Sequence, residues 1–333
     1  MSAGTFEKEH VTIYEVAHVA GVSLATVSRV INHRGNVTEA TRQKVESAIA
    51  KLGYKPSQLA QSLATSRSTN IAILIPSPNY VYISNLLAGM IDVSKIYGYR
   101  TNVFTCDGDA DAGKIIDKIV SSRVDGVVVY HPKISQVTLD KLDAGHTPYV
   151  QIESSLRTKS EITVHIDFET PVTAEVARYL KKNVTDIAYV GVEEELSERF
   201  YRTVATTFAA EGLKYNQRYQ VEDSYHFVYN QFVSEFKKGK FHKVYVTPRD
   251  SLAVAIANAA TDNGYQAGKD FEVLAIIGTK YSSLARPQIT SMEIDMYEVG
   301  SIAMRMMTKK LNNSLVHNDF HFQCEFVHRD STL

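Results

Sequence analysis

From residue 71 onward, the chain alternates short apolar runs with stretches of helical periodicity. Such alternation predicts parallel sheets with helices on both faces, because each parallel connection needs a crossover. Roughly 260 residues exceed one ordinary domain of about 150, so we expect two such sheets in two lobes with a cleft between them. The predicted strands are IAILIP (71–76), TNVFT (101–105), GVVVY (126–130), PYVQI (148–152), IAYVGV (187–192), KVYVT (243–247) and EVLAIIG (272–278).

Composition narrows the class of protein. Of the 333 residues, 44% are apolar and 22% charged, which allows a large core and excludes a disordered chain. The two cysteines, Cys106 and Cys324, are too few for a disulfide framework. The sequence shows neither an export signal nor an apolar run of about 18 residues, so we expect a soluble cytoplasmic protein.

The positive and negative charges are unevenly distributed along the chain. Residues 1–69 carry eight Lys and Arg against five Asp and Glu, while the overall net charge is −1. The first fifth is therefore basic, and the remainder has an excess of acidic residues. A small basic module on a near-neutral body suggests contact with a polyanion.

Residues 12–52 have the pattern of a three-helix bundle. Thr12 and Glu15 form a capping box, and Gly21 provides the left-handed residue that a tight turn needs before Ser23 caps a second helix. A third helix, capped by Thr38, is predicted to run to residue 52. The apolar positions that face inward are Ile13, Val16, Ala17, Ala20, Val27, Val30, Ile31, Val45, Ala48, Ile49 and Leu52.

The second helix directs a different set of side chains outward. These are Leu24, Ala25, Ser28 and Arg29, which are mostly short. A helix with short outward side chains can approach the base edges of a major groove about 12 Å wide. The forked donors of Arg29 match the O6 and N7 acceptors of guanine.

A short segment, SQLAQSLA at 57–64, follows the bundle. An isolated helix of two turns is unstable in water, so we expect this segment to fold only when another surface holds it. The predicted domains are thus a DNA-binding headpiece at 1–56, a hinge and linker at 57–69, and a two-lobed core at 70–333.

The segments VTIYEVAHVAGVSLATVSRVIN (11–32), NVTEATRQKV and LGYKPSQLAQSLAT resemble the DNA-binding module and hinge of the LacI/GalR family of bacterial repressors. Asp250 before an alanine-rich helix and ARPQIT at 285–290 agree with this resemblance. It implies a homodimeric transcriptional regulator whose body is similar to periplasmic sugar-binding proteins.

The resemblance also implies roles for individual residues. Leu63 would wedge into the central base step of the minor groove beside Ala64, and Gln61 replaces a common Arg, which puts one phosphate contact in doubt. Base edges would be contacted by Leu24, Ala25 and Arg29. The residues that would contact phosphates or orient the helix are Thr12, Tyr14, Ser23, Thr26, Ser28 and Asn36.

The segment MYEVGSIAMRMMTKKL (296–311) is similar to the branch of the family that exerts carbon catabolite control in low-GC Gram-positive bacteria. The resemblance implies that Arg305 and Lys309 receive the phosphoserine of serine-phosphorylated HPr, with Tyr297 and Glu298 nearby. On a helix, Glu298, Arg305 and Lys309 lie within about 20° of one line. From spacing alone, the alternative is a solvated helix face.

The cleft departs from the pattern of sugar-responsive relatives. Phe200 and Thr203 stand where an Arg and a Gly are usual, with Arg199 one step out of register, and Gly278-Thr279-Lys280 replaces Gly-Phe-Asp. Asp250 is retained, with Arg249 beside it. We expect a cleft that is vestigial or that prefers a phosphorylated metabolite. The alternative role for Asp250 is to cap its own helix.

Two further motifs resemble metal sites but favour structural roles. Asp107, Asp109 and Asp111 start like a calcium loop, but Lys118 occupies the position that needs a bidentate Glu. FHFQCEFVH at 320–328 contains His321, Cys324 and His328, yet its alternation predicts a strand rather than a metal site.

The function predicted from these features is a DNA-binding regulator of carbon catabolite control, whose operator affinity rises with serine-phosphorylated HPr. The first alternative is a repressor controlled by a small sugar or sugar phosphate. The second is an α/β enzyme or a transport-type binding protein, but the sequence contains no dinucleotide, phosphate-loop or nucleophile motif.

Overall fold

The computed structural model describes residues 11–31, 35, 37–54, 68–76, 81–131, 134–152, 162–314 and 319–333. The chain divides into two compact units, residues 1–69 and residues 70–333. The first described unit is helical, and the second contains two six-stranded sheets with helices around them. No helix in the described ranges combines the length and apolar character that spanning a bilayer would require.

The first unit contains three helices: α1 (Ile13–Ala20), α2 (Leu24–Ile31) and α3 (Glu39–Leu52). At the start of α1, the Glu15 carboxylate accepts hydrogen bonds from the Thr12 amide (2.6 Å) and hydroxyl (2.9 Å). These two bonds lower the pKa of Glu15. The predicted capping box is therefore present.

The core of the first unit forms around fully buried Val16, Val27 and Val45. Gly21 ends α1 at φ 64°, the left-handed conformation predicted for the turn into α2. Tyr54 is a core residue that the pattern did not predict. Gly53 ends α3 in the same conformation, which turns Tyr54 back under the helices.

The first lobe of the second unit is an entirely parallel sheet of strand order β11-β5-β4-β3-β1-β2. Its central strands are buried on both faces, as their Val- and Ile-rich runs require. The strands are β1 (Asn70–Pro76), β2 (Arg100–Cys106), β3 (Gly126–Tyr130), β4 (Tyr149–Ile152), β5 (Thr163–Asp167) and β11 (Asp319–Gln323). The helices are α4 (Val81–Ile96), α5 (Asp109–Ser121), α6 (Gln136–Ala144) and α12 (Met296–Leu311).

The second lobe repeats this topology, with the order β12-β10-β9-β8-β6-β7. All its pairs are parallel except β10 with β12. The strands are β6 (Ile187–Gly191), β7 (Arg218–Gln220), β8 (Val244–Arg249), β9 (Glu272–Ile277), β10 (Thr290–Glu293) and β12 (Glu325–Val327). The helices are α7 (Glu169–Lys181), α8 (Glu195–Ala210), α9 (Tyr225–Lys237), α10 (Asp250–Thr261) and α11 (Lys280–Leu284). The predicted fold of two parallel-sheet lobes is confirmed.

The chain passes between the sheets three times: between β5 and β6, between β10 and β11, and at Cys324 between β11 and β12. The last passage corrects the prediction of one strand in FHFQCEFVH. The alternation of apolar residues continues through Cys324, but β11 pairs with β5 in one sheet and β12 with β10 in the other. Strands β5, β7 and β10 were not predicted, because they lack long apolar runs.

Helices α4 and α12 cross with their backbones in close approach. A Cβ at Gly89 would lie 2.0 Å from the Tyr297 carbonyl oxygen, and one at Gly300 would lie 2.2 Å from the Leu86 carbonyl oxygen. The obstructing atoms are backbone, so no side-chain rotation can make room. The two glycines thus fix α12 against the first lobe.

We predict that Gly89→Ala destabilises the protein by about 3 kcal/mol, the upper part of the range for an overpacked core, because the two helices must move apart. The urea midpoint of unfolding measures this loss. Gly108→Ala is the control, since Gly108 is extended and a Cβ there meets no atom within 4 Å. Similar midpoints for the two variants would contradict the close crossing.

Candidate nucleic-acid interface and docking face

The outward face of α2 carries the side chains predicted to read DNA. Leu24, Ala25 and Arg29 are exposed, while Ser28 is half-buried and Val27 and Val30 are buried beneath them. The helix thus separates a core face from a solvent face as its sequence predicts. Its outward surface consists of small groups with Arg29 as the long cationic side chain, which suits a major groove.

The start of α2 is held by two hydroxyls. Ser23 Oγ accepts a hydrogen bond from the Thr26 amide (3.2 Å) and lies 2.9 Å from the Thr26 hydroxyl. Thr12 is exposed at the start of α1, and Tyr14 is 71% exposed just beyond it. The helix starts of α1 and α2 therefore carry hydroxyl groups on the exposed residues Thr12 and Ser23, and hydroxyls commonly bind phosphates.

Arg29 lies beside the loop that follows α2. A Cβ at Gly35 would be 3.5 Å from Arg29 Cδ, so the aliphatic stem of Arg29 passes close to that glycine. That distance is an ordinary van der Waals contact, and Arg29 is exposed at the surface. Asn36, Gln61, Leu63 and Ala64 lie outside the described residues, so their predicted roles stay predictions.

On α12, four residues form one surface line, called here the docking stripe: Glu298, Ile302, Arg305 and Lys309. Arg305 and Lys309 are exposed, and Glu298 and Ile302 are half-buried. Arg305 Nη1 lies 3.1 Å from Glu298 Oε1. Val299, Ala303 and Met306 are buried on the other face, as predicted.

Tyr297 connects the docking stripe to α4. Its ring is 42% exposed, and its hydroxyl lies 3.4 Å from Asp92 Oδ2. Asp92 also pairs with Lys95 at 3.2 Å. Because the glycine crossing fixes α12 on α4, the polar groups of both helices form one continuous surface.

At the carboxyl ends of the second-lobe strands, Arg249 forms ion pairs with two carboxylates. Glu194 follows β6 and Asp223 follows β7, and both contact the guanidinium. The sequence interpretation treated Arg249 as a cation that could attract a phosphorylated metabolite. In the structure, its charge is balanced by these carboxylates, which come from loops 55 and 26 residues away in the sequence.

Asp250 is buried, and its Oδ2 atom holds the turn that follows β9. That atom accepts hydrogen bonds from the Thr279 amide (2.7 Å), the Thr279 hydroxyl (2.8 Å) and the Ser282 hydroxyl (2.9 Å). Arg249 occupies the cap position of α10, and Asp250 is the first residue of that helix. Asp250 thus joins two loops instead of capping its own helix. Lys280 is exposed beside the ring of Tyr281.

Phe200, where the resemblance predicts an Arg in sugar-responsive relatives, belongs to the core of the body. Phe200 is buried and meets Phe168 edge-on, with ring centroids 5.4 Å apart. Arg199 instead pairs with Glu169 (2.5 Å), and Thr203 donates a hydrogen bond to the Arg199 carbonyl (3.0 Å). The loss of the hydroxyl-binding fork of sugar-responsive relatives stays a prediction.

The acidic segment after β2 starts a helix. The Asp109 carboxylate accepts hydrogen bonds from the Ser135 amide (2.7 Å) and hydroxyl (2.8 Å). Burial raises the pKa of Asp109, but these hydrogen bonds outweigh that effect and lower it overall. Among the residues with described positions, no cluster of three His, Cys, Asp or Glu side chains has a geometry that could hold a metal ion.

We predict that Asp250→Ala destabilises the protein by about 2–3 kcal/mol, because two half-buried donors of Thr279 and the buried Ser282 hydroxyl lose their shared acceptor. For a domain of this size, the thermal midpoint should fall by about 5–10 °C. Asp223→Ala is the control, since it removes a half-exposed carboxylate from the same edge of the sheet. Equal midpoints for the wild type and Asp250→Ala would show that Asp250 has no structural role.

Comparison with known proteins identifies both parts of the chain. Residues 12–57 match the family model described as bacterial regulatory proteins, lacI family, and residues 176–332 match a periplasmic binding protein-like domain. The chain is 31% identical over 333 residues to the HTH-type transcriptional regulator pepR1 of Lactobacillus delbrueckii subsp. lactis, covering 98% of this chain and 99% of the relative. It is 30% identical over 313 residues to catabolite control protein A of Staphylococcus xylosus, covering 91% and 93%.

Among solved structures, the Lac repressor dimer bound to operator and the anti-inducer ONPF has a TM-score of 0.85. The alignment covers 98% of this chain and 100% of the Lac repressor chain at 22% identity, a level that shows the shared fold alone. The family predicted from the sequence is confirmed by the close relatives. This chain belongs to the LacI family of bacterial regulatory proteins and is a DNA-binding transcriptional regulator related to catabolite control protein A.

Proposed function

We propose that this regulator exerts carbon catabolite control as a cytoplasmic homodimer, binding a palindromic operator more tightly when serine-phosphorylated HPr docks on its body. The observation that carries the proposal is the docking stripe, where Arg305 and Lys309 are both exposed one turn apart on α12. Tyr297 and Glu298 adjoin them and complete the proposed contact.

The chemistry of phosphoserine suits these two cations. A serine phosphate carries nearly two negative charges at pH 7 and has three acceptor oxygens. Arg305 can engage two of these oxygens with its planar fork, and Lys309 adds a point charge one turn away. Unphosphorylated serine offers neither the charge nor the additional oxygens, so docking depends on the modification.

In this proposal, docking of the partner on the body changes operator affinity through the hinge. In this proposal, residues 57–64 fold only when two subunits present them side by side on the operator, where Leu63 wedges into the central base step. Unstacking a step costs a few kcal/mol, which is offset by the contacts that a bent duplex permits. A partner that favours the subunit arrangement compatible with folded hinges therefore raises operator affinity.

Control by a sugar or sugar phosphate in the cleft remains the alternative. Two observations weigh against it: Phe200 packs on Phe168 at the usual effector-binding position, and Arg249 is held by Glu194 and Asp223. A guanidinium paired with two carboxylates leaves an excess negative charge, which disfavours a phosphate. Calorimetry with glucose 6-phosphate and with phosphorylated HPr separates the two functions.

We predict that Arg29→Ala weakens operator binding about 5- to 150-fold, the effect of about 1–3 kcal/mol lost from one bidentate contact to guanine. Fluorescence anisotropy with a palindromic operator at fixed salt measures this change. Affinity for a scrambled duplex should change little, because nonspecific binding depends on many phosphate contacts.

Arg29→Lys is the matched variant for this prediction. Lys retains the positive charge but lacks the planar fork, so it should lose most of the operator preference while keeping the salt dependence. Wild-type operator affinity in both variants would rule out Arg29 as a base-reading residue.

We predict that phosphorylated HPr lowers the operator Kd of the wild type about 5- to 150-fold, the range of typical allosteric coupling. Unphosphorylated HPr should have no such effect. The double variant Arg305→Ala/Lys309→Ala should bind the operator as the wild type does without a partner and should gain nothing from phosphorylated HPr.

Lys118→Ala is the control for the double variant, since Lys118 is an exposed lysine of the same lobe on a different helix. It should keep the full response. If phosphorylated HPr leaves the wild-type operator Kd unchanged, HPr control is excluded, and a sugar phosphate becomes the next ligand to test.

A further inference from the structure

Basic side chains gather at the amino edge of the second-lobe sheet, although the body as a whole carries more acidic than basic residues. Three chain segments lead into adjacent strands there: 181–186 into β6, 211–217 into β7 and 237–243 into β8. Together they place six exposed lysines at this edge. These lysines, called here the basic edge, are Lys181, Lys182, Lys214, Lys237, Lys240 and Lys243.

Two of the carboxylates near these lysines are already engaged by other groups. An oxygen of Asp186 lies 2.5 Å from His242 Nδ1, and Glu235 forms an ion pair of 3.3 Å with Lys238. In the part of the chain that the structure describes, no carboxylate forms an ion pair with a lysine of the basic edge. Exposed Glu211 lies in the same region. The basic edge therefore presents an excess of positive charge to solvent.

Helix stability explains only half of the basic edge. Lys181 and Lys237 are the last residues of α7 and α9, and Lys182 caps α7, where the helix dipole favours a cation. The three lysines that lie in loops beyond the helix ends are Lys214, Lys240 and Lys243. Their positions bring no such benefit to a helix, so their charges are available for a partner.

The topology places the basic edge far from the point where the first unit is attached. Three passages connect the lobes, and each joins the carboxyl edges of both sheets: β5 leads to the start of α7, β10 to the start of α12, and β11 to β12, which runs antiparallel to β10. The amino edges of the two sheets therefore lie at opposite ends of the body. The chain from the first unit enters β1 at the amino edge of the first lobe, and the basic edge is the amino edge of the second.

We propose that the basic edge binds the phosphate backbone of a second segment of duplex DNA while the first unit holds the operator. A duplex carries one charge per about 1.7 Å of its axis, so several of the six lysines can meet phosphates together. DNA resists bending over lengths below about 150 base pairs. The segment bound at this end of the body is therefore a distant or separate one, and the regulator bridges two pieces of DNA.

The chemistry of the basic edge favours DNA over a membrane or an acidic protein. Its cations are all lysines, point charges that suit sequence-independent contacts with phosphates, whereas arginine provides bidentate recognition. Within these three described segments, Leu213 is the exposed large apolar side chain, and a single such group is a weak anchor in a membrane. The regulator is also held on DNA by its first unit, which raises the local concentration of duplex around the body.

The test uses the full-length protein in a preformed stoichiometric complex with a short operator, without HPr, so that the first units are occupied. Fluorescence anisotropy then measures the Kd of this complex for a labelled duplex of scrambled sequence at low salt. The variant Lys214→Gln/Lys240→Gln/Lys243→Gln should bind this second duplex at least about tenfold more weakly than the wild type. The slope of log Kd against log salt should fall by about three, one for each lost phosphate contact.

Lys114→Gln/Lys118→Gln/Lys280→Gln is the matched control, because it removes three exposed lysines from other parts of the body. It should bind the second duplex as the wild type does. Both triple variants should keep the operator affinity and the thermal midpoint of the wild type, so a loss confined to the second duplex reports on the basic edge alone.

Three results would overturn the proposal while leaving operator binding and control by HPr untouched. The first is a wild-type operator complex that does not bind the second duplex at low salt. The second is a basic-edge variant that binds this duplex as tightly as the wild type. The third comes from competition: if polyglutamate of matched charge displaces the labelled duplex as well as unlabelled duplex does, the basic edge serves an acidic protein instead of DNA.

Discussion

Backbone contact between α4 and α12 determines how the rest of the body is arranged. Gly89 and Gly300 let two helices approach more closely than any side chain permits, and the obstructing atoms are carbonyl oxygens. Helix α12 is also the connection that returns the chain from β10 to the first lobe. Helix α12 therefore packs rigidly against the first lobe, and the chain that precedes it leads directly from the second lobe. Side chains on the surface of α12 are thus connected to both lobes. This is the position from which the proposed partner would influence the relation between the lobes.

The structure distributes its charged groups in two ways. At the strand ends of the second lobe, Arg249 is bound by Glu194 and Asp223, and buried Asp250 is saturated by hydroxyl and amide donors. On α12, the charges are half-exposed and only partly paired. The buried hydrogen bonds of Asp250 fix the loop conformation there, because breaking them leaves unsatisfied groups. The exposed pairs cost little to rearrange, and they are suited to a regulated contact.

The parts of the structure that sequence predicted are the local ones. The Thr12 and Glu15 cap, the Gly21 turn and the outward face of α2 depend on residues within one or two helical turns of each other. The seven apolar runs predicted strands because buried parallel strands need continuous apolar sequence. The docking stripe on α12 could also be predicted locally, because helical spacing places its residues on one line.

What the sequence could not provide depends on pairing between distant segments. The partners of Arg249 lie on two other loops, and nothing near Arg249 specifies them. Strand β7 has three residues and is a strand only because β6 offers an edge. Tyr54 enters the core because Gly53 reverses the chain, a conformation that the local pattern did not reveal. The sequence does not reveal that the chain passes from one sheet to the other at Cys324, because the apolar alternation of the surrounding segment continues through that residue.

The placement of β11 has a consequence for the order in which the protein acquires its structure during synthesis. The first lobe receives its outermost strand and the helix that covers Leu86 and Met90 from residues 296–323, which follow every strand of the second lobe except β12. A ribosome-bound chain that has completed five strands of each lobe therefore still exposes an apolar face of α4. Such nascent chains are vulnerable to aggregation, because the first lobe closes only after five strands of the second lobe have been made.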